Sequence, residues 1–248
     1  MTTAVPILNL PDLYATGGEI TWLTSATLAV AAGQFRDSTN TYDIVTPAAT
    51  IDAANNGLNG LDSGSLAASS QYAVLAISDP VSGNTAGYML TTVPVIAPLM
   101  PFGYSAYRVI GYWLTDGSSN LRKGYVSGKG KRRKHLHDTS ISVLSGGTAT
   151  TLTSVSLSGA VINLDNIPVT LDVSYTPATA GDSVSVAPFG STATVLPVLS
   201  ASVAAVAAKG QLQTFSKPNN SAVPTILYIN SAAAGSASIW VSGFDYSI

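Results

Sequence analysis

The sequence predicts an all-β protein: two β-sandwich or jelly-roll-like domains behind an extended N-terminal arm. Three observations lead there. Apolar and polar residues alternate over short runs such as 26–30, 155–161 and 169–175, the period-2 pattern of a half-buried strand. Clusters of Gly, Asn, Asp, Ser and Pro interrupt these runs at intervals of about ten residues, the spacing of sandwiches and barrels. Nothing in the chain has the form of a nucleotide-binding βαβ unit.

Taken in order, residues 1–22 are apolar and irregular, and Pro6 and Pro11 prevent a helix through their start. They read as an arm that docks on a neighbouring molecule through Ile7, Leu8, Leu10 and Leu13. The first β domain spans 23–121. Within it, 26–30 and 41–45 are strands on either side of a turn beginning at 31–33. Residues 51–58 have room for one helical turn, which Asn55, Asn56 and Gly57 end. The run 72–77 is apolar on both faces and reads as a central strand. Ser82, Gly83 and Asn84 make a hairpin turn to its partner at 86–90. The strand at 106–114 is closed by Asp116 and Gly117, a strong hairpin pair.

Residues 122–134 break the composition. They hold Arg122, Lys123, Lys129, Lys131, Arg132, Arg133 and Lys134, seven of the chain's eleven cations. Gly124, Gly128 and Gly130 suggest flexibility, so the segment reads as a basic linker between domains. The second β domain, 135–248, carries strands at 140–144, 155–161, 169–175, 184–187, 192–196, 211–215, 225–229 and 237–244. Residues 203–208 are ambiguous: alanine favours helix, the flanking Ser/Val pattern favours strand.

Only 10% of the 248 residues are charged, against about a quarter in soluble domains. The acidic residues are twelve Asp and one Glu, Glu19. A surface so short of charge predicts burial against identical subunits, because interface cores lose charge. Without cysteine the chain has neither a disulfide framework nor a thiolate zinc site. The first thirty residues lack the basic region and apolar core of a signal peptide. The richest apolar stretch, 88–100, is broken by Pro94 and Pro98, so no membrane span is expected.

Candidate chemistry is sparse. A serine hydrolase needs a positioned base, and the only histidines are His135 and His137 beside the basic segment; no Gly-x-Ser-x-Gly elbow joins a strand to a helix. Paired carboxylates for glycoside hydrolysis are available in number, but Asp37, Asp62, Asp79, Asp116 and Asp182 lie beside Gly, Ser, Asn or Pro, where Asp caps turn N–H groups. No catalytic residue, metal or cofactor is assigned. On a strand His135 and His137 face the same way and would gather around an ion on a threefold axis; beside clustered cations, an exposed pair is the simpler expectation. The basic segment has Tyr125 as its one aromatic, so it lacks a single-strand stacking platform, and nucleic acid is not the expected partner. Lys129, Lys131, Arg132, Arg133 and Lys134 are instead expected to dock on protein, where charge chiefly fixes register and partner.

Two turn sequences carry a resemblance. Residues 32–40 read Ala-Gly-Gln-Phe-Arg-Asp-Ser-Thr-Asn, and 59–67 read Asn-Gly-Leu-Asp-Ser-Gly-Ser-Leu-Ala. With 103–121, the block 30–79 that contains them resembles a domain of virion structural proteins of tailed bacteriophages, often called tail-fibre proteins. The likeness covers roughly half the chain and names no catalytic residue. It implies a non-enzymatic virion component assembled in the host cytoplasm, a short homotrimeric tail fibre or appendage that binds other virion proteins and contacts the host. The alternatives are a capsid decoration (cement) protein and a carbohydrate-binding receptor protein, in which Trp113, Trp240 or Tyr246 would stack on host surface glycans.

Overall fold

A computed structural model describes residues 10–81, 85–95, 97–128, 130–192, 199–219 and 223–248. The fold is all-β, with no helix among the described residues. Two compact units divide the chain, Met1–His135 with Ser247–Ile248, and Leu136–Tyr246.

In the first unit, β1 (Ala15–Gly17), β2 (Ile20–Trp22), β3 (Thr27–Val30), β4 (Gly33–Arg36), β5 (Asp43–Thr46) and β6 (Ala49–Asp52) follow one another through tight turns. They precede β7 (Gly60–Leu61), β8 (Gln71–Ser78), β9 (Gly87–Thr92), β10 (Ala106–Leu114) and β11 (Gly124–Ser127). Strand order is β1-β4-β5 in one sheet, β10-β8-β9-β7 in a second and β11-β2-β3-β6 in a third run. The centre is β8, antiparallel to both β9 and β10. Its residues are apolar on both faces and buried from Tyr72 to Ser78, as expected of a strand covered on both sides. Ala73, Leu75, Ile77 and Met89 form a fully buried cluster, flanked by Tyr104, Tyr107 and Tyr112.

The supposed arm is corrected by these strands. Residues 15–22 are β1 and β2, and the described part before them is tied to its own unit. The Leu10 N–H reaches the Asp43 carboxylate at 3.3 Å and the Leu13 N–H donates to Asn40 Oδ1 at 2.8 Å. Leu10 is half-buried and Leu13 is exposed, with φ of 59°. The turn's polar atoms satisfy backbone N–H groups that a free arm would leave to water. Ile7 and Leu8 lie outside the described residues. The helical turn expected at 51–58 is also absent: Ile51 and Asp52 end β6, and Asp52 Oδ1 accepts the Ala54 N–H at 3.0 Å to turn the chain instead.

The basic segment is likewise a hairpin rather than a linker. It contains β11 and the start of β12 (Arg132–Gly147), along which the chain passes from the first unit to the second. Gly128 has φ of 143°, and a side chain there would strike the Arg132 carbonyl. This glycine permits a close turn, which is why the glycines signalled flexibility where none was needed.

The second unit continues with β13 (Thr153–Ser156), β14 (Ile167–Thr176), β15 (Ser183–Pro188), β16 (Leu199–Ser200), β17 (Ala208–Pro218), β18 (Pro224–Asn230) and β19 (Ser236–Ser247). With β12 these strands follow one hydrogen-bonded order, β16-β15-β18-β17-β14-β19-β12, with β13 also paired to β18. Val169, Leu171, Val173 and Tyr175 on β14 are buried, as are Val184 and Val186 on β15 and Ile226 and Tyr228 on β18. On β14 they alternate with mostly half-exposed neighbours, as on a sheet face with one side towards the core, whereas β15 and β18 are buried almost throughout. The ambiguous 203–208 is neither helix nor strand up to Ala208: it is an exposed turn in which Ala205 has φ of 57°. The expected turn at 82–84 and most of the expected strand at 192–196 lie outside the described residues.

Candidate functional site

The side chains singled out from the sequence fall into three groups. The turn aspartates accept backbone hydrogen bonds. Asp37 Oδ1 takes the N–H groups of Thr41 (2.6 Å) and Tyr42 (2.7 Å), and Oδ2 takes the N–H (3.1 Å) and hydroxyl (2.5 Å) of Thr39. Burial opposes its charge, but these donors outweigh it and hold the carboxyl below the usual carboxylate range. Asp62 accepts from Ser63 N–H and Thr91 Oγ1, Asp79 from Val81 N–H, Asp116 from Ser118 and Asn120 N–H, and Asp182 from Thr179 N–H. Asn59 Oδ1 accepts from Tyr88 N–H at 3.0 Å. Asp37, Asn40, Asn59 and Asp62 of the resembling turns are thus occupied in holding backbone.

The basic residues separate. Lys131 and Arg132 are exposed and Lys134 is half-buried. Lys123 stands 4.9 Å over the Trp22 ring. Arg133 is buried, which corrects its place among docking residues. Its Nη2 donates to the Gly17 carbonyl at 2.8 Å and its Nη1 lies 3.4 Å from that of Gly128. The reason is alternation: Arg133 takes an inward position of β12, and guanidinium donors suit buried carbonyls. Lys129 lies outside the described residues.

The histidines take the next inward positions and are buried, not exposed. His135 packs edge-on to Trp113 at 4.9 Å in the first unit, with Nδ1 3.2 Å from the Tyr112 carbonyl oxygen. In the second unit, His137 Nε2 lies 2.8 Å from the Ala160 carbonyl oxygen and its ring faces Phe244 at 6.0 Å. Imidazoles packed inside their own chain are withdrawn from an ion shared between copies. Among the described residues no three His, Cys, Asp or Glu side chains gather as a metal site.

The three proposed stacking residues also part ways. Trp113 is fully buried, with Nε1 donating to the Arg122 carbonyl at 3.0 Å, and Tyr246 is buried beside Phe244. Trp240 is half-buried on the outer face of the second unit, and it lines an open groove of about 610 Å³ with Thr139, Ser140, Asp172, Ser174, Lys209 and Gly210. Strand register builds this groove. Trp240 is opposite Asp172, which is opposite Gln211; one step along, Ser238, Ser174 and Lys209 form a parallel row. A β-bulge falls beside the first row: Thr170 pairs Gly243 and Leu171 pairs Val241, leaving Ser242 as the extra residue. Such bulges bend a strand and re-aim neighbouring side chains. The Asp172 carboxylate accepts from Ser140 Oγ on Oδ2 at 2.6 Å and from Gln211 Nε2 on Oδ1 at 2.9 Å.

Sequence reasoning named Trp240 but missed Asp172, Ser174, Lys209 and Gln211. The signal was present, since the alternation at 169–175 places Asp172 and Ser174 on one polar face. What it lacked was the pairing that sets them beside Trp240.

No protein-family model matches the chain, and no curated protein matches it. Among solved structures it aligns weakly with one described as "Structure of infectious bursal disease virus Gx strain", at 12% identity, over 94% of this chain and 69% of that one, with a TM-score of 0.20. A likeness so slight determines neither fold nor function. Among the described residues no helix is long and apolar enough to cross a membrane.

Proposed function

We propose that this chain is a non-enzymatic structural protein of a tailed-bacteriophage particle, acting as a short homotrimeric tail fibre or appendage. The observation that carries the reading is the pair of turns at 32–40 and 59–67. They resemble virion structural proteins, and Asp37, Asn59 and Asp62 within them are spent on hydrogen bonds that shape the turns. That is the behaviour of scaffold residues. Support for assembly comes from apolar side chains the first unit leaves in water: Phe102 is fully exposed, Val81 is 85% and Leu99 65% exposed. Burying a large apolar side chain is worth about 1.5–3 kcal/mol, a gain that contact with another subunit would realise.

In this reading Lys131, Arg132 and Lys134 present positive charge to an acidic neighbour in the particle, a second copy or another virion protein. Two measurements test it. Light scattering on the isolated 25.3 kDa chain is expected to give three times the monomer mass; a stable monomer at micromolar concentration overturns the trimer. Quantitative mass spectrometry of purified particles is expected to find the chain at the low copy number of a tail part. A high copy number would place it on the capsid as a decoration protein, and absence from particles would overturn the virion role.

A further inference from the structure

The outer groove of the second unit carries a chemistry that the proposed function leaves unassigned. Across β19, β14 and β17, Trp240, Asp172 and Gln211 stand in one row, with Ser238, Ser174 and Lys209 in the next. Neighbouring strands lie about 4.8 Å apart, so each row spans about 10 Å of sheet. Thr139 and Ser140 of β12 add hydroxyls to the lining. The result is one aromatic side chain beside closely set hydroxyl, amide, carboxylate and ammonium groups.

We propose that this groove binds a neutral oligosaccharide, with a pyranose ring stacked on Trp240 and its hydroxyls bonded to Asp172, Gln211 and Lys209. A sugar ring has an apolar C–H face and a rim of hydroxyls, each both donor and acceptor. The indole face carries negative quadrupole density, which suits the slightly positive C–H face. The Asp172 carboxylate is held in place by Ser140 and Gln211, one donor to each oxygen. A carboxylate has about four lone-pair sites, so both oxygens keep capacity for a ligand hydroxyl. Lys209 is exposed and brings donors only, complementing the acceptors of Asp172.

Other occupants fit less well. A peptide strand has no edge to extend, since β14 is paired on both sides by β17 and β19. A protein hot spot needs a cluster of apolar anchors, and this lining has only Trp240 and the buried Val173 as large apolar side chains among Thr, Ser, Asp, Lys and Gly. Nucleic acid binding requires several cations to neutralise phosphates; here Lys209 is balanced by Asp172, which also argues against strongly anionic glycans. The proposal stands on the groove's geometry and holds whether or not the chain belongs to a virion.

The test is binding of the full chain to an immobilised panel of neutral glucans, mannans, galactans and N-acetylglucosamine oligomers. Wild type is expected to bind at least one of them. Trp240→Ala is expected to weaken that binding at least about tenfold, Trp240→Phe to retain most of it, and Asp172→Asn to weaken it about tenfold or more, as loss of a hydrogen bond to a charged group would. Trp240 faces outward while Ile239 and Val241 face the core, so circular dichroism should be unchanged in the Trp240 variants. Lys209→Ala, on an exposed position of β17, gives a second variant free of core effects and should also weaken binding. Failure of wild type to bind any panel member, or equal binding by Trp240→Ala, overturns the proposal. So does a change in oligomeric mass in Trp240→Ala without a glycan effect, which would make the face a contact between copies.

Discussion

Replacing Asp37 by Asn removes a charge and two acceptor positions from one of the two turns on which the proposed function rests. The amide oxygen can still accept from Thr41 and Tyr42 in the place of Oδ1. The amide nitrogen, however, would stand where Oδ2 accepts the N–H and hydroxyl of Thr39, setting donor against donor. Hydrogen bonds to charged groups are worth about 1.5–3 kcal/mol each, so two of them amount to roughly 3–6 kcal/mol before the turn relaxes. Asp37 is also the carboxylate that favours the charged form of buried Arg108, which burial opposes, and its loss leaves that cation less compensated. We expect a net loss of about 3–5 kcal/mol from the first unit. At about 2–4 °C per kcal/mol for a chain of this size, calorimetry should show its transition falling by about 10 °C. The deficit should also depend on pH. The folded carboxyl titrates below its ordinary value, so its contribution is complete above the unfolded pKa near 3.9 and fades as pH falls through the lower folded value. The gap between wild type and Asp37→Asn should therefore be constant at neutral pH and close in strong acid. A shift under 2 °C at pH 7 would refute the assignment of this turn to Asp37, because about 2 °C is the effect of only about 0.5–1 kcal/mol.

Arg133→Met should cost about 2–4 kcal/mol in denaturant unfolding, because the Gly17 carbonyl loses a charged donor inside the fold, whereas Arg132→Ala at the adjacent exposed position should stay within about 0.5 kcal/mol. Equal effects would place Arg133 on the surface. Trp113→Phe should destabilise by about 1.5–3 kcal/mol, losing the bond to the Arg122 carbonyl and the edge contact with His135; a neutral result by thermal melting would contradict the buried indole. Gly128→Ala should destabilise the β11–β12 hairpin, since its φ is 143° and a methyl would meet the Arg132 carbonyl. Faster amide exchange in that hairpin is the readout, and unchanged exchange would mean the turn is not tight.

The local pattern of this sequence determined its fold class, its central strand at 72–77 and the turns built on Asp37, Asp62, Asp116 and Asp182. Period-2 alternation and Asx turns depend on residues close in the chain, so no partner need be known to read them. Tertiary structure decided the rest. Arg133, His135 and His137 sit in a segment whose composition says solvent, yet β12 is paired and covered, and its alternate side chains turn inward. The segment around Leu10 and Leu13 read as part of a free arm until Asp43 and Asn40 of the same chain claimed their N–H groups. Trp240, Asp172 and Lys209 are far apart in sequence and become neighbours only because β19, β14 and β17 pair in one particular register. Register is a non-local choice, made by which faces bury together, and a sequence carries it only as a set of alternating faces awaiting partners.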